Sequence, residues 1–110
     1  MSADDHLSPT QFYRAPNIYE GGERPEGLPY KGGVERVLPV DHVLHSTQGW
    51  LDKDSVRDFR DEDVREQADV EEGAPPRVSH YQGRDWIFDG HHRLVADRLE
   101  GRPTRVLYHS

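Results

Sequence analysis

Hydrophobic positions in this chain come in short runs separated by polar, glycine- and proline-rich stretches. Val34, Val37, Leu38, Val40, Val43 and Leu44 crowd into one run of β-branched and aliphatic residues, the composition of a strand. Pro39 interrupts the run and cannot donate to a ladder, so the pattern predicts a strand near 34–38 and a short extended piece after it. His45-Ser46-Thr47-Gln48-Gly49-Trp50 is polar and reads as a turn. Asp52 or Asp54 can then cap a helix running through about Gln67, with Val56, Phe59, Arg60 and Asp63 at helical spacings and Val56, Phe59 and Val64 as its few apolar anchors. Its acidic face reads as solvated. Glu71-Glu72-Gly73-Ala74-Pro75-Pro76 terminates it, because Gly and Pro stop helices and the residue before a proline is pushed toward extended geometry.

Arg77-Val78-Ser79-His80-Tyr81 and Asp85-Trp86-Ile87-Phe88 predict two strands of a hairpin turning at Gln82-Gly83-Arg84. A helix from His91 to Glu100 places His92, Val95, Ala96 and Leu99 on one face, with Gly101 as the residue that follows its C-terminus. Arg105-Val106-Leu107-Tyr108 is the last strand. The order β-α-β-β-α-β implies an α+β domain, a small mixed sheet with helices packed on it. His80 and His109 read as strand residues, and Trp50 and Trp86 as core or packing residues, with Trp50 beside Gln48 also placed to stack on a base.

Residues 1–33 show neither period. Pro9, Pro16, Pro25 and Pro29 and the pairs Gly21-Gly22 and Gly32-Gly33 make this an extended N-terminal arm. Phe12, Tyr13, Ile18, Tyr19 and Tyr30 are its candidates for pinning it to a surface; the competing readings are a loosely ordered tail and an arm that binds a partner or clasps an oligomer. The folded domain is expected over 34–110.

Composition narrows the chemistry. With no cysteine, the chain has no disulfide, no thiolate metal site and no thiol catalysis. No apolar run approaches the roughly 18 residues of a membrane span, and Met1-Ser2-Ala3-Asp4-Asp5-His6 is too acidic and polar to open a secretory signal. No membrane partner is expected, and a cytoplasmic location is the default. The net charge is −7, which argues against non-specific binding to DNA phosphates. Asp41 to Glu72 holds eleven acids and four bases, whereas Arg77 to Ser110 holds six arginines and four acids. Positive charge is thus concentrated around one short run, Asp89-Gly90-His91-His92-Arg93.

That run joins a strand to a helix start, where backbone N–H groups lack partners and the macrodipole is positive. Arg93 is the best phosphate ligand, since its guanidinium binds oxyanions bidentately and stays charged. Gly90 lets backbone approach a phosphate closely. His91 and His92 are adjacent, point about 100° apart and cannot chelate one ion together. His91 is therefore the candidate to contact phosphate or relay a proton, and His92 the structural one. Asp89 can cap the helix, act as the catalytic carboxylate or hold Mg²⁺ through water. The competing structural readings are Asp89 as a plain cap, His92 as a core histidine and Arg93 as an ion pair, with Asp97 as the candidate partner. Glu62 or Glu66 as a catalytic base has no support from spacing.

The hydrophobic strand, glycine-centred hairpin, Asp89-Gly90-His91-His92-Arg93-Leu94 block with Ala96, Gly101 after the helix and Val-rich closing strand resemble the ParB/sulfiredoxin superfamily, specifically its ParB-like N-terminal domain. The resemblance spans about residues 34–109. It implies a sulfiredoxin-like fold and a nucleotide whose phosphates lie against Gly90, His91, His92 and Arg93, with Thr47 and Gln48 where members carry a polar nucleotide-site segment. Mg²⁺ and a nucleoside triphosphate are the implied cofactor and ligand. Members include nucleotide-dependent clamps, nucleases and phosphotransferases, so phosphoryl transfer, hydrolysis and nuclease action on DNA are the implied activities. Sulfiredoxin chemistry needs a cysteine about where His91 stands, which removes it. Partition proteins show Gly-Glu-Arg-Arg here and continue into a helical DNA-reading domain. The His-His form looks closer to the kinase-like and stand-alone phage-type members, for which the location is the host cytoplasm. The alternative expectation is a non-catalytic module that binds nucleic acid or protein through the arm.

Overall fold

A computed structural model describes residues 14–110 together with the two-residue strand β1 (His6–Leu7). The other strands are β2 (Ile18–Glu20), β3 (Val34–Leu38), β4 (Leu44–Ser46), β5 (Leu51–Asp52), β6 (Arg77–Tyr81), β7 (Arg84–Asp89) and β8 (Thr104–His109). The helices are α1 (Lys53–Arg60), α2 (Glu62–Glu72) and α3 (His91–Leu99). Six strands form one mixed sheet in the order β2-β4-β7-β6-β8-β3, and β1 pairs with β5 in a separate ribbon. The expected α+β architecture is present.

Strand β3 falls where the hydrophobic run predicts it and pairs antiparallel with β8. The β6–β7 hairpin turns through Gln82 and Gly83, both at positive φ, the conformation that tight hairpin turns require. Two expectations are corrected. His45-Ser46 is not a turn: it belongs to β4, which is inserted parallel to β7 and buries Leu44 and Ser46. The predicted helix from Asp52 to Gln67 is two helices. Asp52 caps α1 by accepting from the Asp54 amide, and Asp61 ends α1 and caps α2, its carboxylate accepting from the Asp63 and Val64 amides. An N-cap side chain is stable only with its own backbone extended, and Asp61 sits at φ −72°, ψ 123°, so the chain bends there. As a result Val64 faces solvent, and Arg65 and Ala68 are the residues that α2 buries.

Helices cover one face of the sheet. Val78, Ile87 and Val106 meet Leu94, Val95 and Ala96 of α3 and Val56 of α1 in one core cluster. Residues 21–33, within the stretch read as an arm, lie along the opposite face. The Ser79 hydroxyl donates to the Pro29 carbonyl (2.7 Å), Arg24 stacks on Phe88 (5.2 Å to the ring centroid), and Gly33 sits against His109 and Leu107. Upstream, β2 adds an edge strand parallel to β4, and Ala15 and Ile18 enter the core. Tyr19 and Tyr30 are exposed, and Phe12 and Tyr13 lie outside the described residues. No helix among the described residues is long and apolar enough to cross a membrane.

Arg98 fastens this N-terminal segment to the domain. Only 1% exposed, its guanidinium donates from Nη1 to the Pro16 carbonyl and from Nη2 to the His42 carbonyl, both at 2.8 Å. Arg98→Met keeps the apolar stem but orphans two carbonyls, so it is expected to lower unfolding free energy by about 2–4 kcal/mol. Urea denaturation measures the loss, and limited proteolysis should then cut first within residues 14–33. An unchanged midpoint would mean that the segment is held by other contacts.

Candidate functional site

The start of α3 is set by backbone conformation rather than by a side chain. Gly90 is the N-cap, at φ 79°, and no side chain caps the helix. Asp89 is therefore not the cap: its mostly exposed carboxylate lies 3.9 Å from Arg77 Nε. A Cβ on Gly90 would come within 2.8 Å of Pro76 Cβ and 2.9 Å of Arg93 Nη2. Both the left-handed backbone and this close approach demand glycine.

His91 and His92 diverge, as neighbours on a helix must, and grip the two ends of one loop. The Thr47 amide donates to His91 Nε2 (3.1 Å), and the Asp52 amide donates to His92 Nε2 (3.0 Å). A nitrogen that accepts from an amide carries no proton, so each neutral ring holds its proton on Nδ1. Burial, then the neighbouring His92, pushes His91 down to about 4. Burial also lowers His92, against the raising effect of Asp52. Thr47 is held a second time, its hydroxyl donating to the Ile87 carbonyl at 2.7 Å. Gln48 Nε2 donates to the Trp50 carbonyl at 2.8 Å. Trp50 itself is exposed, unlike Trp86, which is buried.

Arg93 is 5% exposed. Its Nη1 donates to Asp69 Oδ1 (2.7 Å) and to the Ala74 carbonyl (2.8 Å). The ion-pair partner is thus Asp69 on α2 and not Asp97, which instead receives Arg65, Arg102 and Thr104. Nη2 lies beside Gly90 and makes no hydrogen bond among the described residues. The guanidinium is clamped through Nη1 and, among the described residues, has no hydrogen bond at Nη2.

These residues surround a cavity of about 250 Å³ lined by Gln48, Phe59, Glu72, Phe88, Asp89, Gly90, His91, His92 and Arg93. Of the residues predicted from sequence, Thr47 alone is not on the lining; it stands behind His91. Phe59, Glu72, Phe88 and Asp69 were not predicted as site residues. Asp69 carries no mark in the sequence that sets it apart from the other acids of α2. Among the described residues no group of three His, Asp or Glu is placed to hold a metal ion.

A second cluster lies away from this cavity. The Asp85 carboxylate accepts from His42 Nε2 (2.5 Å), His80 Nδ1 (2.7 Å) and the Tyr108 hydroxyl (2.7 Å). Burial works against its charge, but bonds from Tyr108, His42 and His80 hold its carboxyl below the usual range. Tyr108 is pushed up to about 12 by burial and by Asp85. The cluster ties the His42 loop, the hairpin and β8 together.

The chain matches no known family model, no curated protein and no solved structure.

The His91 clamp has a pH signature. The unfolded ring takes up its proton near 6.5 and the folded one near 4, so the unfolded state binds more protons between those values and stability falls as pH falls through them. Over that window His91 accounts for about 3 kcal/mol. Urea denaturation from pH 7 to 4 should show this slope, and His91→Gln, whose amide oxygen can still accept from Thr47, should flatten it. An equal slope in wild type and variant would remove the assignment.

Proposed function

We propose that this protein binds the phosphoryl group of a nucleotide or another phosphorylated ligand at the start of α3. The observation that carries the reading is the state of Arg93: a buried guanidinium, oriented by Asp69 and Ala74, whose free Nη2 edge lies beside Gly90 at an uncapped first helical turn. A buried charge favours a partner, and helix-start amides with one guanidinium edge form a donor set suited to an oxyanion. The resemblance of the Asp89-to-Arg93 block to ParB-like domains points the same way.

The cavity's other groups limit the ligand. At about 250 Å³ it is smaller than the roughly 300–1,000 Å³ of sites that engulf drug-sized ligands, so it takes the phosphoryl end and leaves the rest of the molecule outside. Asp89 and Glu72 line it as well and repel a bare dianion. These carboxylates would hold Mg²⁺, which keeps most of its waters and is commonly bound by one or two carboxylates together with substrate phosphates. Mg²⁺ would supply charge neutralisation there. His91 and His92 keep the Thr47–Asp52 loop in place as a wall of the cavity.

Titration with inorganic phosphate, CTP, ATP, GTP and a short DNA duplex, each with and without Mg²⁺, tests the reading by amide chemical shifts. The first-turn amides of α3 should move with phosphate-bearing ligands. Arg93→Lys keeps a cation for Asp69 but offers no second edge, and is expected to weaken binding about tenfold or more, as for loss of one charged hydrogen bond. Equal affinity in wild type and Arg93→Lys overturns the reading. Duplex binding that leaves these amides unmoved assigns a nucleic-acid surface elsewhere on the molecule.

A further inference from the structure

The buried charges around α3 do not balance. Arg65 donates from Nε to Asp97 (3.1 Å) and from Nη1 to Asp69 (2.5 Å), and Arg93 shares that same Asp69 oxygen (2.7 Å). Arg102 donates from Nε to the other Asp97 oxygen at 3.2 Å. This one connected cluster holds three guanidiniums, Arg65, Arg93 and Arg102, against two carboxylates, Asp69 and Asp97. Arg98 stands outside the cluster, bound to the carbonyls of Pro16 and His42 and facing the charges of Asp41 and Asp97. Burial pushes the Asp97 carboxyl up despite Arg65 and Arg102. An uncompensated charge in a low-dielectric interior calls for a counter-ion.

Two cavities open on this cluster. One is the site at Arg93. The other, about 460 Å³, lies between α2 and the turn from α3 into β8, and is lined by Arg65, Asp69, Asp97 and Arg102 with Arg105 and the solvated Glu62 and Glu66 also on its walls. Arg65 is 6% exposed and uses only Nε and Nη1 in hydrogen bonds among the described residues. Its Nη2 is therefore left over among the described residues as that of Arg93 is, and Arg102 and Arg105 bring the guanidiniums of the same cleft to three. Glu62 and Glu66 oppose extended polyanions there and leave compact, weakly charged ones as the fitting class.

We infer that the larger cleft is a second site for a compact oxyanion, and that the two cavities compete for it because they share one excess positive charge through Asp69. The inference rests on the phosphate reading of the small cavity for its second half. An anion at Arg65 supplies the missing negative charge, and the pull on a phosphate at Arg93 drops. Linkage makes the effect reciprocal.

Inorganic phosphate is the probe, followed through the arginine Nε–Hε signals and the backbone amides. In wild type, phosphate is expected to move two sets of signals, Arg93 with the α3 first turn and Arg65 with Arg105, at a total of one equivalent. Asp69→Asn keeps an oxygen for both Nη1 groups but removes the charge, so phosphate should bind about tenfold tighter, within the usual range of such couplings. Damage to the fold cannot produce that gain. Arg65→Gln should weaken binding at Arg93 about tenfold, while Arg65→Lys, which keeps the charge, should hold it near wild type. Unchanged or weaker binding in Asp69→Asn overturns the inference. A response at Arg93 alone overturns it too, and leaves the reading of the small cavity standing. A response at Arg65 and Arg105 alone upholds the second site and removes that reading. No response in either protein removes both.

Discussion

Helix α3 is nine residues long and buried almost all round, and the rest of the structure depends on how its polar side chains are satisfied. His91, Arg93, Asp97 and Arg98 are all buried alongside Leu94, Val95 and Ala96. A charged group inside a protein is tolerated only when it is paired and hydrogen-bonded, so each must draw a partner from elsewhere in the chain. Arg98 draws the carbonyls of Pro16 and His42, Asp97 draws Arg65, Arg102 and Thr104, and Arg93 draws Asp69 and Ala74. His91 and His92 draw the two ends of the Thr47–Asp52 loop. Helix α2, the N-terminal segment and the site wall are all positioned by these demands.

The same constraint fixes the geometry of the site. Gly90 has no freedom to become another residue, because Pro76 and Arg93 occupy the space a Cβ would need. The first turn of α3 is thus fixed against β7 on one side and against the Pro75-Pro76 entry to β6 on the other. Imidazoles that accept from amides are good clamps while neutral and poor ones when protonated. With His91 held near 4, the clamp is closed throughout the neutral range. Groups preorganised in this way bind a ligand without a further ordering cost.

Much of this was legible in the sequence, and the failures have physical causes. The hairpin, β3, β8 and α3 carry strong local signals: a glycine turn, β-branched runs, and a glycine after the last helical turn. The bend at Asp61 had a local signal too, an Asp followed by Glu62 and Asp63 in the pattern of a capped helix start, but it lay inside a run of charge with the period of a continuous helix. Strand β2 has three residues and only Ile18 buried, too little for periodicity to register. The amphipathic reading of α3 placed His92, Val95, Ala96 and Leu99 on its inner face, yet Arg93, Asp97 and Arg98 are buried too. Nothing local marks a buried arginine, because what buries it is a carboxylate or carbonyl far away in the chain.

Burial decides how charge acts in this protein. The chain is acidic overall at −7, and net charge alone disfavours an anionic ligand. Yet many of its carboxylates stand on the exposed surfaces of α1 and α2, where water and salt screen them within about 8–10 Å. The guanidiniums of Arg65, Arg93 and Arg98 are sequestered in the interior, where screening is weak and each interaction is stronger. A ligand entering a cavity at α3 meets the interior first, through an uncapped helix start and a guanidinium edge, and the solvated acids only at the rim. The site therefore sets a guanidinium edge and a helix start beside the carboxylates of Glu72 and Asp89, an arrangement that the net charge of the molecule does not reveal. On the proposed reading, the surface acids oppose long polyanions and the helix start favours small ones.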